Sequence, residues 1–123
     1  MNPLTYQKNV RKLERTSPTW SRFDHASAGA SSEAGELADM VKKHHTTGKE
    51  IDPYKVLEEC GDLLWYVTLA LDAYGWNLYQ AMSTNIAKLK RRREHGKDPE
   101  AEREIFESYA PLLDQFDYSE NDE

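Results

Sequence analysis

Only one cysteine, Cys60, occurs in the 123 residues. No intrachain disulfide can form and no thiolate zinc site can be built, so a reducing, cytoplasmic compartment is the default expectation. Long apolar runs are also missing. The longest, Leu63 to Leu71, is about half of what crosses a bilayer, and Asn2, Pro3, Lys8 and Arg11 stand where a signal sequence would be, so no membrane partner is expected. Positive charge is in deficit, with 16 Lys and Arg against 22 Asp and Glu, for a net charge of −6. A general nucleic-acid coat needs surplus cations to displace counterions from phosphates, so no nucleic-acid partner is expected either. Five acids and no base lie in Ala110 to Glu123, and residues 110–123 are read as a solvated, flexible acidic tail. There is no other low-complexity segment, no internal repeat and no segment that alternates with period two.

What remains is one domain, residues 1–109, written in helices. Pro3 behind Asn2 opens an amphipathic helix to about Arg15, and Ser17-Pro18 breaks the chain. A second helix is expected from Asp24 or Ser27 to about His45. Asp52-Pro53 starts a third that continues to Tyr74, where Gly75 closes it. Asn77 caps a fourth to about Glu94, and Asp98-Pro99 opens a short fifth to about Tyr109. The expected fold is all-α: an antiparallel bundle of about four core helices plus a short C-terminal one.

Acid pairs at i,i+3 share a helix face. With 22 acids in the chain such pairs arise by chance, and most are solvated. Glu33/Glu36 and Glu59/Asp62 differ in their place on the apolar pattern. Ala26, Gly29, Glu33, Leu37 and Met40 form one stripe with Glu36 at its edge, and Glu59 and Asp62 align with Tyr66 and Leu69. Moreover, the pairs 33/62 and 36/59 share the midpoint 47.5, inside the expected loop, so an antiparallel hairpin sets the two pairs level. Four converging carboxylates repel and call for protons or cations. An all-oxygen donor set selects Mg²⁺ or Mn²⁺. A di-iron bundle would need Glu-x-x-His, and none of His25, His44, His45 or His95 has Glu three residues before it.

Three segments then carry a resemblance: Ser32-Glu-Ala-Gly-Glu-Leu-Ala-Asp39, Glu58-Glu-Cys-Gly-Asp-Leu-Leu-Trp-Tyr66 and Asn85-Ile-Ala-Lys-Leu-Lys-Arg-Arg92. Together, over about Ala26 to Arg92, they resemble the MazG-like all-α nucleoside triphosphate pyrophosphohydrolases. The family pattern is ExxE, a gap, then ExxD, and the gap here, Leu37 to Glu58, is 22 residues. Cys60 and Arg93 depart from it, standing where Leu and an aromatic residue are usual. The resemblance implies metal-dependent hydrolysis of a (d)NTP to the monophosphate and pyrophosphate, with Glu33, Glu36, Glu59 and Asp62 as metal ligands. Glu36, then Glu58, are the choices for taking a proton from water. Asn85, Lys88 and Arg92, at i, i+3 and i+7, offer an amide and two cations to the phosphates.

Some small members of that family favour guanine nucleotides, and a purine substrate, dGTP first, is expected. Tyr6, Trp20 and Phe23 could form a stacking wall, with Asn9 and Asp24 supplying acceptors, although the same residues could simply pack the N-terminal helix. Trp65, Tyr66, Trp76 and Tyr79 are read as core or subunit contacts, His44 and His45 as surface residues and Cys60 as an inert buried thiol. Because Trp65, Tyr66, Val67, Leu69, Ala70 and Leu71 surround the third helix, a homodimer or homotetramer is expected. Two alternatives from other classes remain. One is a nucleic-acid-binding bundle using Lys8, Arg11, Lys12, Arg15 and Lys88 to Arg93; the other is a non-enzymatic interaction bundle.

Overall fold

A computed structural model describes residues 1–15 and 19–111. Among them all regular structure is helical: α1 (Pro3–Leu13), α2 (Arg22–Thr47), α3 (Pro53–Ala73), α4 (Leu78–His95) and α5 (Pro99–Glu107). The break at Ser17-Pro18 and the acidic tail beyond Pro111 lie outside the described residues. No described helix is long and apolar enough to cross a membrane.

Short polar side chains start the helices, and a left-handed glycine follows α2, α3 and α4. Asn2 Oδ1 accepts from Thr5 N at 2.9 Å ahead of Pro3, and Asp52 Oδ1 accepts from Tyr54 N at 2.9 Å ahead of Pro53. α2 begins earlier than the sequence suggests, because Ser21 caps it by accepting from Asp24 N at 3.0 Å. It ends at Gly48, whose φ of 74° is left-handed and whose N–H bonds His44 O. Asn77 and Gln80 form a reciprocal capping box on α4, and Asp98 caps α5 through the amides of Glu100 and Ala101.

Two compact units result. The first combines residues 1–12 with residues 71 onward. Besides Val10 and Leu78 it buries an unusual share of polar side chains, including Thr5, Gln7, Lys8, Asp72, Gln80, Thr84 and Glu102. Gln7, 1% exposed, shows how they are satisfied. Its Nε2 donates to Asp72 Oδ1 and Trp76 O, each at 3.0 Å, while its Oε1 accepts from Leu78 N at 3.0 Å. One amide thereby joins α1 to the end of α3 and supplies the start of α4. Arg11 Nε holds the other Asp72 oxygen at 2.9 Å. α5 packs on α4, where Arg92 grips Glu102 through Nε at 2.9 Å and Nη2 at 2.6 Å.

The second unit, Leu13–Ala70, contains α2 and most of α3 as an antiparallel hairpin. The expected α2 stripe is present: Ala26 is buried, Gly29, Glu33, Leu37 and Met40 are half-buried, and their neighbours Ser27, Ser31, Gly35 and Ala38 are exposed. Cys60 is a correction. Expected buried, it is exposed, because it lies one residue, about 100°, round the helix from buried Glu59. Nor is α3 covered on all sides. Tyr54, Leu57, Leu64 and Val67 form an exposed stripe, and on α4 of the other unit Tyr79, Met82, Ile86 and Leu89 form another. Trp65, Tyr66 and Trp76 are half-buried, whereas Tyr79 is exposed.

Candidate metal centre

The hairpin brings three of the four expected ligands together. Carboxylate oxygens of Glu33, Glu59 and Asp62 all lie within 4.8 Å of one another. Glu59 is 5% exposed, and its Oε2 is buried without a hydrogen-bond partner. Lys55, one turn earlier, reaches Oε1 at 3.4 Å but also serves Glu58 at 3.3 Å. Its i,i+4 spacing to Glu59 is the signal in the sequence for this contact. Glu33 is pushed up to about 7, first by its hydrogen bond to Glu59, then by burial and the charges of Glu59, Asp62 and Glu36. Without a cation, therefore, the cluster retains a proton near neutral pH.

One turn from these acids the helices approach closely. The Tyr66 ring lies over α2 between His25 and Gly29, making an edge contact with His25 at 5.8 Å between centroids and 61° between planes. A methyl group at Gly29 would collide with Cδ1, Cε1 and Cζ of Tyr66.

The other expected site residues are distributed more widely. Glu36 is exposed and lies outside the trio, along a groove with Asp39, Lys43, Lys49 and Lys55. Glu58 is exposed and paired with Lys55. In the first unit Asn85 and Lys88 line a cavity of about 320 Å³ with Trp76, Phe106 and Tyr109, while Arg92 is engaged by Glu102. Arg92 holds Glu102 at about 2, chiefly through that hydrogen bond, helped by the Asp98 amide and the charge of Lys88. Trp20, Phe23 and Asp24 share an open groove with Ser27 and Ser31 in the second unit. Tyr6 and Asn9 lie on α1, where Asn9 Nδ2 donates to Thr5 O at 2.9 Å.

A family model for the MazG nucleotide pyrophosphohydrolase domain matches residues 24–97, more than half of the chain. The chain belongs to this family. No curated protein and no solved structure gives a match. The MazG segment takes in α2 from Asp24, all of α3 and α4, and with them the acid trio, Glu36, Glu58, Asn85, Lys88 and Arg92; α1, Trp20, Phe23 and α5 fall outside it. MazG domains hydrolyse nucleotides and are generally metal-dependent, and the cluster suits a hard cation. Its donors are all oxygen, and the unpartnered Glu59 Oε2 is the kind of buried atom a cation satisfies.

Several cations of the nucleic-acid alternative are occupied within the chain. Lys8 is only 3% exposed, Arg11 bonds Asp72, Arg92 bonds Glu102, and Arg91 Nη2 lies 3.6 Å from Asp98. Counterion release requires cations free to meet phosphates.

Proposed function

We propose that residues 1–109 form a nucleoside triphosphate pyrophosphohydrolase, cleaving a (d)NTP to the (d)NMP and pyrophosphate with two or more Mg²⁺ or Mn²⁺ ions. The observation that carries this reading is the Glu33, Glu59 and Asp62 cluster with its unpartnered buried oxygen, on a MazG segment. Glu33, Glu59 and Asp62 would hold the ions, with Glu36 joining at the edge. Bound there, divalent ions neutralise a polyphosphate and acidify a water molecule. Glu36 is the proposed proton acceptor ahead of Glu58, since the Glu58 carboxylate is tied to Lys55. Asn85, Lys88 and Arg92 are proposed for the phosphates, with Glu102 orienting the Arg92 guanidinium.

The proposed base groove is that of Trp20, Phe23 and Asp24, with Tyr6 and Asn9 of α1 as further candidates and dGTP as the preferred substrate. A second copy of the chain is proposed to cover the stripe Tyr54, Leu57, Leu64 and Val67, because an uncovered apolar helix face is costly in water. Incubating the protein with Mg²⁺ and each dNTP, and separating the products, tests the central claim. The expected products are the monophosphate and pyrophosphate. A diphosphate with inorganic phosphate, or no turnover, overturns it.

A further inference from the structure

Glycine inside a helix carries an entropic cost, so Gly29, about two turns into α2, calls for a reason. The reason is its neighbour: no side chain larger than hydrogen fits beneath the Tyr66 ring. Gly35 on the same helix has no such neighbour, since a Cβ there would meet nothing within 4 Å. Helical periodicity puts Gly29 one turn before Glu33 and Tyr66 one turn after Asp62. The close approach of Gly29 to Tyr66 and the convergence of Glu33, Glu59 and Asp62 are thus successive levels of one helix–helix contact. Interaxial separation is set by the side chains at the contact. The edge contact of His25, four residues before Gly29, holds the ring in that seat.

We propose that Gly29 and Tyr66 are positioning residues for the acid cluster, the ring seated on bare α2 backbone setting the helix separation at which Glu33 and Asp62 can share a small divalent ion with Glu59. The proposal rests on the metal reading above. Mg²⁺ demands short, near-octahedral bonds of about 2.1 Å, whereas Ca²⁺ accepts longer and more flexible ones. A helix pair pushed apart therefore loses the smaller ion first.

The test is titration of the full chain with Mg²⁺, Mn²⁺ and Ca²⁺ by calorimetry, under conditions where circular dichroism shows each variant folded. Gly29→Ala is expected to weaken Mg²⁺ and Mn²⁺ about 10-fold or more, the scale of losses when residues supporting metal ligands are changed, and to weaken Ca²⁺ less. Gly35→Ala is expected to leave all three affinities alone. Tyr66→Leu, which relieves the crowding but removes the ring, is expected to weaken Mg²⁺ similarly and keeps the test open if Gly29→Ala does not fold. Wild-type Mg²⁺ affinity in folded Gly29→Ala or in Tyr66→Leu overturns the proposal, as does an equal loss for all three ions. A wild-type chain that binds none of these ions overturns the metal reading and this proposal together.

Discussion

The two compact units bury polar groups in opposite ways. In the unit made of residues 1–12 and 71 onward, Gln7, Asp72, Arg11, Arg92 and Glu102 answer one another through directed hydrogen bonds of 2.6 to 3.0 Å. In the hairpin of α2 and α3, Glu59 faces two further carboxyl groups, and one of its oxygens has no partner. Both arrangements remove charge or dipole from water, which is costly unless a partner replaces the lost hydration. The first supplies that partner from within the chain and is stabilised. The second supplies only Lys55 and a retained proton, and that imbalance is what the proposed cation site rests on. The first unit has its own unpartnered atom, Arg91 Nη1, yet that guanidinium has an opposite charge, Asp98, at hand.

Substitutions in the two units should therefore have opposite effects on stability, and this is where the largest change is expected. Glu59→Gln removes a proposed ligand and should lower pyrophosphate release about 100-fold or more, beyond the loss typical for residues that merely support ligands. In metal-free buffer the same variant should melt at or above the wild-type temperature, because a charge facing Glu33 and Asp62 has gone. Pyrophosphate release and thermal melts in chelator check both halves. A variant that melts well below wild type without metal would place Glu59 among the structural groups instead.

Gln7→Ala is the counterpart. It leaves Asp72, Trp76 O and Leu78 N short of a buried partner, for which roughly 1–3 kcal/mol of stability should be lost. Denaturant unfolding measures it, and Mn²⁺ affinity of the folded protein should stay unchanged.

The contrast between the units also explains what could be read in advance. Helix starts were legible from Asn2, Asp52, Asn77 and Asp98, since capping depends on neighbours within three residues. The acid convergence was legible because a short loop ties height on α2 to height on α3. Height is not azimuth, however: Glu36, expected level with Glu59, is exposed and lies outside the trio, while Glu33 meets both Glu59 and Asp62. The same distinction hid the exposure of Cys60. The Gln7 network was not legible at all, because its partners lie 65 to 71 residues away and nothing local marks Asp72 as buried. The seat of Tyr66 on Gly29 likewise depends on rotation of both helices.

A smaller effect is expected from pH. Folded Glu33 titrates near 7, against an ordinary value of 4.5, so the folded metal-free protein keeps a proton that the unfolded chain has released between those values. Its contribution to stability is present below about pH 4.5 and is lost as the pH rises through 7. A cation must displace this proton, so Mn²⁺ affinity should fall about tenfold for each unit below pH 7 and level off above it. Calorimetry at pH 6, 7 and 8 in buffers of different ionisation enthalpy should show about one proton released per cluster at pH 6. Affinity independent of pH over that range would mean that Glu33 is not a ligand.

The smallest effect expected concerns the base, because the groove holding Trp20, Phe23 and Asp24 is open and water competes there. A carboxylate at Asp24 can accept from both the N1–H and the 2-amino group of guanine, whereas adenine presents a lone pair at N1 and has no 2-amino group. Asp24→Asn keeps one acceptor oxygen but replaces the other with a donor, which suits adenine better and guanine worse. The ratio of kcat/KM for dGTP over dATP should therefore fall by roughly threefold to tenfold, less than the discrimination a closed polar pocket achieves. Trp20→Ala should reduce both purines alike, since stacking does not distinguish their faces. The measurement is kcat/KM for all four dNTPs in wild type and both variants. Equal rates on the four in the wild type, or a pyrimidine preference, would remove the groove from the substrate site while leaving the acid cluster and its metal chemistry as they stand.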